Sequence, residues 1–116
     1  YIGNGKLLMN NYCQMGKEAD SLRKRLHKIL DCHFDVQELS YDGRLRKDSW
    51  CYLNYIETPK TVIIPEISKD LDCSNDKAAV NAFSGVFPNK EIIQVYANPL
   101  VKHGGAIHCI TWELYK

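Results

Sequence analysis

Apolar residues recur along this chain with two different periods. From Met15 they fall at positions 15, 19, 22, 26, 29 and 30, spacings of three and four that put them on one face of a helix. Glu18 and Asp20 near its start and His27 and Lys28 near its end suit the helix dipole. A short strand is expected before it at Lys6-Leu-Leu-Met-Asn10, after the Asn4-Gly5 turn. After it, Phe34-Asp-Val-Gln-Glu-Leu39 alternates as a half-buried strand, with Phe34 and Val36 toward the core, and Tyr41-Asp-Gly43 ends it. The polar stretch from Arg44 to Asp48 reads as a loop.

The second half repeats the theme. Cys51-Tyr-Leu-Asn-Tyr-Ile56 and Thr61-Val-Ile-Ile64 flank Glu57-Thr-Pro-Lys60 and read as two strands joined by a turn. A helix is predicted from about Asp76 to Phe87, with Ser74 and Asn75 as capping residues, Ala79, Val80, Phe83, Val86 and Phe87 on one face, and Pro88-Asn89 as the stop. Glu91-Ile-Ile-Gln-Val-Tyr96 is then a strand, Asn98 to Gly105 a loop, and Ala106-Ile-His-Cys-Ile-Thr-Trp112 a last strand. The expected class is α/β, with a ββαβ unit from Trp50 to Tyr96 preceded by the end of a similar one. The implied division is 1–48 for the end of one unit, 49–97 for a ββαβ unit, and 98–116 for a glycine loop and final strand.

Composition narrows the possibilities. The 116 residues suit one domain, and 45% hydrophobic with 25% charged residues exclude a disordered tail, a collagen repeat or a heptad coil. A formal net charge of +1 gives no reason to expect a nucleic-acid or membrane partner. No apolar run approaches the ~20 residues of a membrane span and no signal peptide opens the chain, so a cytoplasmic location is expected. Tyr1 stands where a start Met would, which suggests a piece of a longer chain. The five cysteines, at 13, 32, 51, 73 and 109, form no Cys-x-x-Cys pair, so free thiols are expected in place of a zinc site or disulfide framework.

The densest candidate chemistry is Gly104-Gly-Ala-Ile-His-Cys-Ile-Thr111, where two glycines free the backbone for close approach to a ligand just before adjacent His and Cys. On a strand His108 and Cys109 would point to opposite faces, making His108 a poor base for the thiol. Periodicity by itself favours Cys109 as a small apolar core residue over a nucleophile. His103 reads as a solvated loop group and His33-Phe-Asp35 as structural. Asn54, among bulky strand residues, must either satisfy backbone groups or orient a ligand. Asp48, Asp70, Asp72 and Asp76 read as solvated or capping carboxylates, and Arg23 to Arg25 as a wet helix face.

These residues carry a resemblance. Gly104-Gly-Ala-Ile-His-Cys-Ile-Thr111 resembles the nucleophile motif of the agmatine deiminase and bacterial, Porphyromonas-type, peptidylarginine deiminase family of the guanidine-modifying pentein superfamily. Ser49-Trp-Cys-Tyr-Leu-Asn-Tyr55 is similar to the family's Ser-Tyr-x-Asn-Phe-Tyr segment, and Val62-Ile-Ile-Pro65, Asn75-Asp76 and Phe87-Pro88 agree in order and spacing. The resemblance implies a propeller of five ββαβ units, of which about two, from the C-terminal part, are present. It implies Cys109 as nucleophile, Asn54 as an active-site residue, and Gly104 and Gly105 beside the substrate. The reaction would be hydrolysis of a guanidinium to a ureido group and ammonia through a covalent thiouronium, on agmatine or an arginyl peptide, with no cofactor and no metal. The family's His-x-Asp pair belongs before Tyr1, and His33-Phe-Asp35, following the first helix, does not replace it. Trp112-Glu113 departs from the Gln-Gln of typical agmatine deiminases and is closer to the Thr-x-Glu of the peptidylarginine branch. The isolated chain is expected to be inactive and to self-associate through faces that further units would cover. A non-catalytic scaffold with Cys109 in its core is the alternative reading, and amidino transfer a third.

Overall fold

The computed structural model describes residues 1–41, 49–68 and 74–112. Strand β1 (Lys6–Asn10) leads through a 3-10 turn at Tyr12–Met15 into helix α1 (Lys17–Leu30) and back to β2 (Asp35–Leu39). β2 lies parallel to β1, with Leu8 opposite Gln37 and Asn10 opposite Leu39. In the second half β3 (Ile56–Glu57) runs antiparallel to β4 (Thr61–Glu66), and helix α2 (Ser74–Val86) crosses over to β5 (Glu91–Tyr96), parallel to β4. That is the expected ββαβ arrangement, with sheet order β3-β4-β5. A short helix α3 (Asn98–Lys102) and a 3-10 turn at His108–Ile110 follow.

One core serves both halves. Leu8 and Leu39 meet Val62, Ile64, Ala79, Phe83 and Ala106 in a single buried cluster. Phe83 and Phe87 stack with centroids 6.2 Å apart, and Tyr55 packs edge-on to Phe83 at 5.3 Å, geometry that aromatic quadrupoles favour.

Three expected elements differ. The run from Cys51 is a 3-10 turn over Ser49–Leu53, and only Ile56–Glu57 is strand. Cys51 and Tyr52 are adjacent and both fully buried, carried by the tight turn and not by a paired strand. Residues 98–102 form a helix in place of a loop, because Pro99 sits in the first turn, where its fixed φ and missing N–H cost nothing. Residues 106–112 are not a strand. Ala106 and Ile107 are consecutive and buried, whereas Ile110 and Trp112 are 69% and 87% exposed. Among the described residues no strand pairs with this segment, and its backbone closes on itself through bonds from Ile110 N to Ile107 O and Thr111 N to His108 O.

α1 also departs from expectation. No residue of it is fully buried, and Leu22 and Ile29 of its apolar stripe are exposed. A polar clamp joins it to β2: Glu38 accepts from Arg23 Nε and pairs with His27 Nε2, while His27 Nδ1 lies 2.9 Å from Asp31. Arg23 therefore turns toward the sheet to serve a half-buried carboxylate, and of the basic run only Lys24 and Arg25 are exposed. Phe34 and Val36 are only half-buried, Phe34 lying edge-on to Tyr1.

The clamp sets a pH window. Hydrogen bonds to Glu38 and then Asp31 hold His27 above its ordinary value, so its contribution is complete below about pH 6.5 and is lost as pH rises through the folded value. Burial pushes Glu38 up, but bonds from Arg23 and His27 outweigh it and leave the carboxyl below its ordinary value. Its contribution is complete above about pH 4.3 and is lost as pH falls through the folded value. The chain should melt highest between about pH 4.5 and 6.5, and His27→Gln should flatten the decline on the alkaline side. Melting temperature against pH for both proteins checks this, and parallel curves would contradict it.

Candidate active site

The site is made where the end of the 49–53 turn meets the turn after the glycine pair. Asn54 follows the first turn, its N–H bonded to Cys51 O at 2.8 Å. Its amide works at both ends. Nδ2 donates to Cys109 Sγ at 3.0 Å, and Oδ1 accepts from the backbone N–H of His108 at 2.8 Å and of Cys109 at 3.4 Å. Of the two readings open from sequence, the structure shows the first, since the side chain satisfies backbone donors, and its other end bonds the thiol.

Cys109 is exposed, against the periodicity-based preference for a core residue. The thiol is held below its ordinary pKa, first by a hydrogen bond from the Ala106 backbone, then by Asn54, with its own backbone adding to these against a small desolvation penalty. Donors aimed at sulfur favour the thiolate, the form that acts as nucleophile. Cys13 shows the opposite case, raised because its thiol donates to Asp20 at 2.8 Å. Cys32 is exposed and Cys51 buried, and neither is disulfide-bonded.

The glycines act on the backbone. Gly104 has φ +84°, and a Cβ placed on it would meet nothing within 4 Å, so it is the left-handed turn after α3, and not close approach, that calls for glycine there. A Cβ on Gly105 would stand 3.6 Å from Cys109 Cβ, in ordinary contact. Beside Cys109 in sequence opens a cleft of about 790 Å³, walled by residues 53–57, His108, Thr111 and Trp112, with Tyr1 also in its lining. Neither glycine is part of that wall. His108, in a turn and not a strand, is not turned to an opposite face by strand alternation, and it is exposed at the cleft. Neither His103 nor the His33/Asp35 pair lines it. Glu57 does, with its carboxylate paired to Lys90.

Asp76 is the residue sequence reasoning placed wrongly. It is buried, not solvated, and accepts from Tyr52 Oη at 2.7 Å and from the N–H groups of Ile67 and Ser68, each at 3.0 Å. Its position in the first turn of α2 gave the capping reading, and only the fold brings the other donors to it. Asp48, Asp70 and Asp72 lie outside the described residues. Among the described residues no group of three or more His, Cys, Asp or Glu side chains could hold a metal ion, and no helix is long and apolar enough to cross a membrane.

A polarised, exposed cysteine braced by an asparagine thus stands beside an open cleft on ββαβ architecture. The model of the Porphyromonas-type peptidyl-arginine deiminase family matches residues 6–114, and the chain belongs to that family. A Lactococcus lactis protein bearing the name of an agmatine deiminase is 38% identical over 62 residues, 53% of this chain and 16% of the relative. An Enterococcus faecalis protein of the same name is 37% identical over the same shares. Among solved structures, E. faecalis agmatine deiminase superposes with TM-score 0.65 at 23% identity, covering 95% of this chain and 37% of that one. C. jejuni agmatine deiminase gives 0.62 at 21%, covering 94% and 35%. The chain thus spans only a minor part of the length of the proteins it matches.

If the amide polarises the thiol, Asn54→Ala should slow alkylation of Cys109 at pH 7 by about three- to tenfold. The alkylation rate across pH, read on the Cys109 peptide by mass spectrometry, checks this. An unchanged profile would mean that Asn54 acts on the backbone alone.

Proposed function

We propose that this chain carries the nucleophile of a guanidine deiminase, with Cys109 as the attacking thiolate and Asn54 as the group that orients it. The observation that supports this most directly is the Asn54 amide bonded at one end to Cys109 Sγ and at the other to the backbone carrying that cysteine. A thiolate so placed attacks the planar guanidinium carbon. Ammonia leaves after one nitrogen takes a proton, giving a thiouronium on sulfur, and water then displaces the thiolate to leave a ureido product. The thiol suits both halves, being nucleophilic near neutral pH and a competent leaving group.

Agmatine and peptidyl-arginine are the substrates proposed, since the family and the relatives carry those names. Both present the same guanidinium and differ in the group at the far end of the aliphatic stem. The exposed indole of Trp112 in the cleft wall offers a face for a cation or an apolar stem. The histidine and carboxylates that the chemistry requires for proton transfer and for gripping the guanidinium nitrogens are proposed to come from outside these residues.

In the parent enzyme Cys109→Ser should lower ureido-product formation by more than about 1,000-fold while shifting stability by no more than about 1 kcal/mol. Colorimetric ureido assay and thermal melting check the two halves, and retained turnover would remove Cys109 from the mechanism.

The 116-residue chain by itself should release no ammonia from agmatine or an arginyl peptide above a Cys109→Ser control. It should also self-associate, because β5 pairs on one side only among the described residues and exposes Ile93, Val95 and Tyr96. Ammonia release and light scattering over a dilution series test the pair. Turnover by the pure chain, or a monomeric mass at ~100 µM, would contradict the reading.

A further inference from the structure

Asn54 can aim its amide at sulfur only if the turn before it is fixed. Residues 49–53 form a 3-10 turn, which by itself is a weak element with poor hydrogen-bond geometry. Its anchor is Tyr52, two residues before Asn54, with a fully buried ring set against Tyr41 at 5.5 Å. The hydroxyl at the far end of that ring donates to Asp76 Oδ1 at 2.7 Å.

Asp76 is itself held from three sides. It sits in the first turn of α2, and its two oxygens take the N–H groups of Ile67 and Ser68, just past the end of β4. Its carbonyl accepts from Gln94 Nε2 of β5 at 3.2 Å. The carboxylate is therefore the point where α2, β4 and the 49–53 turn are tied together. With one oxygen shared by Tyr52 and Ile67 and the other taken by Ser68, the side chain fixes the direction of the tyrosine hydroxyl against the end of β4.

We propose that Asp76 is a positioning residue for the Cys109 thiol, acting through Tyr52 to hold the turn from which Asn54 reaches Sγ. It touches neither the sulfur nor the cleft. The inference rests on the reading of Asn54 and Cys109 given above, and it adds a carboxylate that lies outside both segments 49–55 and 104–111.

The test reads the thiol directly and needs no turnover. Cys109 is the only cysteine in the tryptic peptide from His103 onward, so its iodoacetamide alkylation can be followed by mass spectrometry across pH 5.5–9, with exposed Cys32 as internal reference. Tyr52→Phe, which removes the hydroxyl that bonds Asp76, should slow Cys109 at pH 7 by about threefold and leave Cys32 unchanged. Asp76→Ala should do the same or more. Asp76→Asn should retain most of the native rate, because its amide oxygen can still face Tyr52 and Ile67 while only the bond from Ser68 is lost. Adding Tyr52→Phe to Asn54→Ala should give no further slowing, since both act on one contact.

A lower melting temperature with an unchanged Cys109 profile in Tyr52→Phe would reduce the Asp76–Tyr52 pair to a structural role and overturn the proposal. So would additive slowing in the double variant, or equal changes at Cys109 and Cys32. Should Asp76→Ala fail to fold, Tyr52→Phe, which keeps the two backbone bonds to Asp76, carries the test. Failure of the nucleophile reading would appear elsewhere, as activity of Cys109→Ser in the parent enzyme with the thiol profiles intact.

Discussion

A single amide, that of Asn54, joins the two places where chemistry can occur. Its donor end faces sulfur and its acceptor end faces the backbone of the residue carrying that sulfur, so thiol and turn cannot move independently. The surrounding structure supports this contact from both sides. Behind Asn54 stand the buried Tyr52 and the carboxylate beneath it, and behind Cys109 stand α3, Gly104 in its left-handed conformation, and the buried pair Ala106 and Ile107. The apolar core beneath supplies the rigidity that a precise polar contact at the surface requires.

The two halves are stabilised differently. The β3-β4-α2-β5 half buries a helix face against a sheet, with aromatic stacking at one end. The β1-α1-β2 half leaves its helix unburied along its length and ties it down with charges. A charge clamp in partial contact with water is weaker than a packed apolar face and depends on ionisation. That asymmetry places the sensitivity to pH away from the thiol, in the half that contributes none of the residues bonded to it.

Regular elements were legible where one periodicity held for several residues. β1, α1, β2, β4, α2 and β5 all appear within a few positions of where the spacing put them. The misreadings share a cause. Cys51-Tyr52 and Ala106-Ile107 are apolar neighbours buried side by side, and a short apolar run gives no information on whether burial is alternate or consecutive. The exposure of Cys109 was hidden by the same ambiguity. Asp76 was missed because its partners, Tyr52 and residues 67–68, are separated from it by 24 and by eight and nine positions, and the donors converge only once the crossover has formed. Asn54 and Cys109 could be paired from sequence only through their motifs, since nothing local connects residues 55 positions apart.

That separation also sets what the contact needs in order to form. The parallel strand pairs each join residues about 30 positions apart through a helix, as Lys6 with Asp35 and Thr61 with Glu91. The Asn54–Cys109 contact instead closes a loop of 55 residues that encloses one whole crossover. Loop-closure entropy grows with the logarithm of length, so the added chain itself costs only about 0.5 kcal/mol. The larger constraint is geometric, because Asn54 and the turn carrying the thiol are brought together across β4, α2 and β5. Only once that closure has formed does the Asn54 amide reach the sulfur, so this part of the thiol's polarisation belongs to the folded chain and not to its local sequence.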